Sequence, residues 1–283
     1  MIEKLKRKIA EMLKEDIGLG DVTSLATVDA NARGRGMIVV KEDCILAGLP
    51  EAAEVFRQVG VRFKALRREG ERIRSGEVIA IVEGPARGML CAERVALNLL
   101  MRMSGIATAT RHLVELVRSK NRRVKVAATR KTAPLLTHFD KRAVIVGGGV
   151  PHRWTLGDHI LIKDNHLKFS GTVTEAVTRA RRKFPSLRVE VEVKDRREAL
   201  EAARAGAHMI MFDNMSPSEI RRTVEELKRE GLRSKVLLEA SGGIDPSNAR
   251  NFAATGVDLI SSGYLTMRAP AVDMGLEIVG LSA

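Results

Sequence analysis

Aromatic side chains are scarce in this 283-residue chain, at 3% of residues, with one tryptophan, Trp154, and one tyrosine, Tyr264. Nucleic-acid binders that grip unpaired bases need stacking platforms, so this scarcity disfavours that class even at a net charge of +13. The basic residues are also dispersed, as in RARRK (179–183) and the pairs at 196–197 and 221–222, and interleaved with Glu, which describes solvated helix faces. Only two cysteines occur, Cys44 and Cys91, without metal-ligand spacing, and they read as inert core thiols. No apolar run approaches the ~20 residues that span a bilayer. The N-terminal stretch MIEKLKRKIAEMLKEDIG is amphipathic and charged, lacking the apolar block and cleavage site of a signal peptide. A soluble cytoplasmic protein with no membrane and no nucleic-acid partner is expected. A single glutamine, Gln58, amid abundant Arg, Lys and Glu points to a heat-adapted source. No GxGxxG opens a βα unit, which weighs against dinucleotide binding.

What is present is alternation. From about residue 109 the apolar runs VKVAAT (124–129), HILIK (159–163), RVEVEV (188–193), HMIMF (208–212), KVLLEA (235–240) and VDLISS (257–262) read as strands, and AVIV (143–146) as a further buried one. Helices between them should start at Asp195, Ser216 and Asp245 and end at Gly206, Gly231 and Gly256. Near-continuous apolar strands separated by helices imply a parallel sheet covered on both faces. Lys163, Glu192, Asp213, Glu239, Ser241 and Ser262 fall at or just beyond strand C-terminal ends, the active face of an α/β barrel. Residues 1–108 differ. Short strands broken by Gly and Pro turns (34–50, 69–88) predict an α+β sandwich domain, joined by the apolar segment 269–283, beside a barrel domain over 109–268. A long helix from Ala92 to about Lys120 should bridge the two.

The segment TRKTAPLLTHFDKRAVIVGGGVPHRWTLGDHILIKDNH (129–166) sets Arg130, Lys131, His152, Arg153 and Lys163 around these runs. Buried strands cannot hide neighbouring cations, so the charges should converge on one cleft, a receptor for a strongly anionic small molecule. Gly147, Gly148 and Gly149 read as a turn that swings His152 and Arg153 into place. Loops Ser241-Gly242-Gly243 and Ser262-Gly263 follow the last two strands, where backbone N–H groups can cradle a phosphate, aided by a helix beginning after Ile244. Glu192 and Asp213, read as equivalent positions on adjacent strands, suit a hard cation such as Mg2+ held partly through water, or pairing with Lys131 and Lys163. With no His or Cys cluster at ligand spacing, zinc is not expected.

TRKT, the GGG run followed by HR, and LIKDNH resemble quinolinate phosphoribosyltransferase, as do EDIGLGDVTS (15–24), ERVALNLLMRMSGIAT (93–108), EVEV (190–193), FDNM (212–215), EASGGI (239–244) and SSGYLT (261–266), in the family's order. The resemblance implies an incomplete, roughly seven-stranded barrel. It also implies transfer of phosphoribose from phosphoribosyl pyrophosphate to quinolinate with decarboxylation, giving nicotinate mononucleotide, pyrophosphate and CO2. It places Arg130, His152, Arg153 and Lys163 on the quinolinate carboxylates and Lys131 on the pyrophosphate side. Glu192 and Asp213 would face ribose and Mg2+, while Ser241, Gly242, Gly243 and Gly263 would take the 5′-phosphate. Arg94 would enter a neighbouring subunit's site. Val95, Leu97, Leu99, Leu100 and Met103 cover more of that helix than one buried stripe needs, which also points to a homodimer or dimer-based hexamer. Two departures stand out. PLLT (134–137) replaces the family's PGLR, and Thr266 is followed by Met267 and Arg268 instead of His-Ser. The alternatives are a nicotinate-specific transferase of similar fold, or a basic nucleic-acid-binding protein.

Overall fold

The computed structural model describes residues 2–282. Among these the strands are, in chain order, β1 Arg33–Val40, β2 Cys44–Ile45, β3 Arg62–Ala65, β4 Arg72–Ile73, β5 Val78–Pro85, β6 Lys125–Ala127, β7 Ile160–Ile162, β8 Val189–Val193, β9 Met209–Asp213, β10 Leu237–Ser241, β11 Leu259–Ser261 and β12 Met274–Ser282. The residues up to Ala109, with those from Ala269 onward, form one compact unit, and Thr110–Arg268 form the other.

In the first unit an antiparallel sheet runs in the order β12-β1-β5-β3. The segment after Ala269 returns as β12 and pairs with β1 from Arg33↔Ser282 to Val40↔Met274. Along β1, Gly34, Gly36, Ile38 and Val40 are buried and alternate with more open positions, the period-two signature of a sheet covered on one face. Helix Leu49–Gln58 contributes Ala52, Val55 and Phe56 to that cover, and Phe56 stacks on Phe63 of β3 at 6.0 Å. The long helix spans Ala86–Arg118, starting directly after β5 and six residues before Ala92. Its Val95, Leu97, Leu99, Leu100 and Met103 are all buried within the chain itself. The apolar excess expected to face a second chain is therefore already consumed, and it says nothing about an oligomer.

The second unit carries six parallel strands in the order β6-β11-β10-β9-β8-β7. Its first and last strands in sequence, β6 and β11, pair directly, so the sheet curls round on itself. The opening lies between Val150, tied to Ala127 by one isolated bridge, and β7. A seventh strand is thus reduced to a single bridging residue. Val191, Ile210, Phe212 and Leu238 are fully enclosed, each worth roughly 1.5–3 kcal/mol of burial. Asp195 and Ser216 cap helices Arg196–Arg204 and Pro217–Arg229, Ser216 through a reciprocal pair with Glu219.

Two expected elements differ. AVIV belongs to helix Thr137–Val146, where Phe139, Ala143 and Val144 are buried and Ile145 is exposed, a helical and not an alternating pattern. After Ile244 no long helix follows. Asp245, Ser247 and Asn248 bond among themselves in a turn, and the helix is only Ala249–Ala253. No helix among the described residues is long and apolar enough to cross a membrane.

Candidate active site

Register sets which strand residues share a level. Glu192, Met211 and Glu239 lie side by side, as do Asp213 and Ser241 one pleat pair further on. Glu192 and Asp213 are therefore staggered by two residues, not equivalent as the sequence reading has them. Period two turns Glu190 inward as well, directly beneath Glu192. Glu239 is likewise inside the barrel and not at its rim, with no exposed surface.

Above this floor opens a cavity of about 330 Å³, lined by Arg130, Lys131, His152, Arg153, Lys163, Glu192, Asp213, Glu239, Ser241, Gly242 and Gly243 among others. The five cationic candidates thus share one space. The loop bearing His152 and Arg153 is held from below by Lys141, a residue the sequence reading passed over. Fully buried in helix Thr137–Val146, its Nζ donates to the carbonyls of Pro151 at 2.6 Å and Arg153 at 2.5 Å. Burial pushes the Lys141 ammonium down to about 8. The charge amid Phe139, Ala143 and Val144 was a legible hint, since a lysine on a buried helical face needs acceptors. Two glycines of the run are sterically constrained. Gly148 is left-handed at φ +94°, and a Cβ on Gly149 would meet Thr110, Val144 and the Val126 carbonyl at 2.9–3.1 Å. His152 itself sits at φ +54°, strained for a non-glycine residue.

His152 Nε2 lies 3.0 Å from Glu239 Oε2 and 3.6 Å from Glu190 Oε2. Burial alone would push the imidazolium down, but the two carboxylates outweigh it and raise its pKa to about 10. Glu190 is held low despite burial by its two histidine partners, whereas burial pushes Glu239 up. Arg153 is buried, which together with nearby Arg130 pushes its guanidinium down. Desolvated cations of this kind give a carboxylate ligand more than exposed ones would. A pH effect follows. His152 goes from its ordinary 6.5 to about 10 on folding, so its contribution to stability is complete below about 6.5 and fades as pH rises toward 10. Thermal unfolding measured across that window should show the wild type losing stability relative to His152→Gln; parallel curves would contradict the assignment.

Lys163 follows β7 and pairs with Glu192, while His166 Nδ1 accepts the Lys163 backbone N–H at 3.0 Å, anchoring the start of helix Asp164–Ser170. Asp213 pairs with neither Lys131 nor Lys163; its carboxylate accepts from Asn214 Nδ2 at 3.0 Å. Its open oxygens suit a hard cation, whereas Glu192 is engaged by Lys163. His152, His159 and Glu190 also offer ligand atoms within 4.8 Å of one another, a cluster hidden in sequence because the residues are far apart.

A second cavity of about 350 Å³ adjoins through Lys131, Ser241, Gly242 and Gly243 and adds Ser262, Gly263, Tyr264, Met267 and Arg268. Gly242 and Gly243 are both left-handed, φ +98° and +60°, and a Cβ on Gly242 would overlap Asn214. Ser262 contributes no free hydroxyl, since Oγ donates to the Ile244 carbonyl at 2.5 Å and accepts the Tyr264 N–H at 3.2 Å. With the following helix shortened, the cradle is a backbone one, and Arg268 supplies a guanidinium on its rim. Leu135, in the PLLT departure, is exposed at φ +65°. Arg94 is exposed in the other unit and, among the described residues, makes no ion pair with Glu93 or any other acid.

The chain matches the sequence profile of quinolinate phosphoribosyl transferase, N-terminal domain, over residues 21–104 and that of the C-terminal domain over residues 106–277. It is 44% identical over 274 residues to a probable carboxylating nicotinate-nucleotide pyrophosphorylase of Methanothermobacter thermautotrophicus, covering 96% of this chain and 98% of the relative. It is 40% identical to the carboxylating nicotinate-nucleotide pyrophosphorylase of Rattus norvegicus, covering 94% and 88%. The crystal structure of NadC from Streptococcus pyogenes superposes with a TM-score of 0.91 at 36% identity, covering 100% of this chain and 98% of that one.

Proposed function

The chain belongs to the quinolinate phosphoribosyltransferase family, and from that premise we propose that it is a carboxylating nicotinate-nucleotide pyrophosphorylase of NAD biosynthesis whose cation-lined cavity receives quinolinate. The observation that carries this reading is the gathering of Arg130, His152, Arg153 and Lys163 on one side of the cavity and the glycine cradle on the other. One side fits two carboxylates, the other a phosphate. Between them the pyridine nitrogen attacks the anomeric carbon of phosphoribosyl pyrophosphate as the bond to pyrophosphate breaks. The carboxyl beside the ring nitrogen then leaves as CO2, its bonding pair staying on the ring carbon, which takes up a proton. The chain's own residues supply position and charge: Arg153 and His152 hold the dicarboxylate, Lys131 bridges both cavities toward the pyrophosphate, and Gly242, Gly243 and Gly263 hold the 5′-phosphate. Asp213, with Glu192 once released from Lys163, would hold Mg2+, which when bound neutralises charge on the leaving group. Cytoplasmic location is part of the same proposal.

Incubation with quinolinate, phosphoribosyl pyrophosphate and Mg2+ tests it. Equal amounts of nicotinate mononucleotide and CO2 support the reading; loss of neither substrate overturns it.

The oligomer belongs to the proposal too. Arg94, exposed and without an ion pair among the described residues, is read as completing a neighbouring subunit's site in a symmetric dimer or dimer-based hexamer. Mixing inactive Arg94→Ala with inactive Lys163→Ala subunits should restore about one wild-type site per heterodimer. Absent activity after confirmed subunit exchange would return Arg94 to its own chain.

A further inference from the structure

At the base of the cavity are two carboxylates with no exposed surface, Glu190 and Glu239, each with one oxygen, Oε1, that meets no hydrogen-bond partner among the described residues. Two imidazoles serve them. His159 Nε2 sits 2.8 Å from Glu190 Oε2, and His152 Nε2 sits 3.0 Å from Glu239 Oε2. The two rings meet edge to face at 5.1 Å. His152 and Glu239 line the cavity, but His159 and Glu190 do not.

The distances describe a competition. His152 Nε2 is only 3.6 Å from the same Glu190 oxygen that His159 occupies. A buried carboxylate left without a donor is costly, so Glu190 would draw whichever imidazole is within reach. His159 serves its Oε2 and leaves His152 to Glu239. Held there by Nε2, His152 keeps Nδ1 as its ring nitrogen without a partner among the described residues. Its left-handed backbone, clamped on both sides by Lys141, gives it little freedom to compensate for a misplaced ring.

We propose that His159 is a positioning residue for substrate recognition: by occupying Glu190 it assigns His152 to Glu239 and so aims Nδ1 at a substrate carboxylate. This rests on the reading that the cavity takes quinolinate. The mechanism has a signature that mere structural support lacks. Removing His159 should do harm because Glu190 then competes for His152, so removing the Glu190 charge as well should repair it.

Steady-state kinetics on the wild type, His159→Ala, His159→Gln and the double variant His159→Ala/Glu190→Gln provide the test. His159→Ala should raise KM for quinolinate about tenfold or more while KM for phosphoribosyl pyrophosphate stays within about twofold. His159→Gln retains an N–H donor, and the double variant removes the competitor, so both should return KM for quinolinate to within about threefold of wild type. In parallel, the 15N signals of the His152 ring should move in His159→Ala. An unchanged KM in His159→Ala overturns the inference, as does an unshifted His152 ring, or a folded double variant as impaired as the single one. One equivalent of zinc in the purified wild type, absent from His159→Ala, would also overturn it by making the cluster a metal site. A wild type that turns over no quinolinate fails the proposed function itself, which is a separate outcome.

Discussion

Arg153→Ala and Lys163→Ala should each lower kcat/KM for quinolinate at least ~100-fold with the fold intact. Arg153 is almost wholly buried and its Nη1 reaches the His159 carbonyl at 3.5 Å, a weak contact that leaves most of the guanidinium fork to a ligand. A desolvated cation of this kind loses little by engaging a carboxylate, and a hydrogen bond to a charged group contributes about 1.5–3 kcal/mol. A hundredfold loss corresponds to about 2.7 kcal/mol, which one such bond can supply. Lys163 acts in two ways, contributing its own charge and leaving Glu192 unpaired when it is removed. Circular dichroism and thermal unfolding alongside the kinetics would separate loss of binding from loss of fold. Near-normal efficiency in either variant would take that cation out of the recognition set.

Chelation should abolish turnover, to below about 1% of the starting rate, with recovery on adding Mg2+, because a departing pyrophosphate needs its charge neutralised. Asp213 is the residue to which this dependence is traced. It ends β9 facing the cavity and, among the described residues, meets no cation there, whereas Glu192 is paired with Lys163. Asp213→Asn should therefore weaken the Mg2+ dependence or the maximal rate. Full activity in chelator would remove the metal role from both carboxylates.

Much of the barrel was legible because its parallel strands are enclosed on both faces and read as unbroken apolar runs, as HMIMF and VDLISS do. Their C-terminal ends then pointed to Lys163, Asp213 and Ser241 without further information. The AVIV run failed for a physical reason, since four consecutive apolar residues fit both a strand and a helix turn, and only the exposed Ile145 decides between them. The helix expected at Asp245 failed because Ser247 and Asn248 satisfy its donors and acceptors locally before any helix starts. The grouping of His159 with Glu190 was illegible because 31 residues separate them and only the curled sheet brings them to 2.8 Å. Glu190 itself could have been found, lying two residues before Glu192 and so on the same inward face. Arg94 shows the opposite limit: its apolar neighbours, read as an interface, are core.

The most direct test of the central claim, that this cavity is built for two carboxylates, is the ratio of kcat/KM for quinolinate to that for nicotinate on the wild-type protein. A site with buried cations left unmatched by the missing carboxylate should favour quinolinate by about 10³-fold or more. Comparable efficiency with nicotinate would contradict the account and make the protein a nicotinate-specific transferase on the same fold.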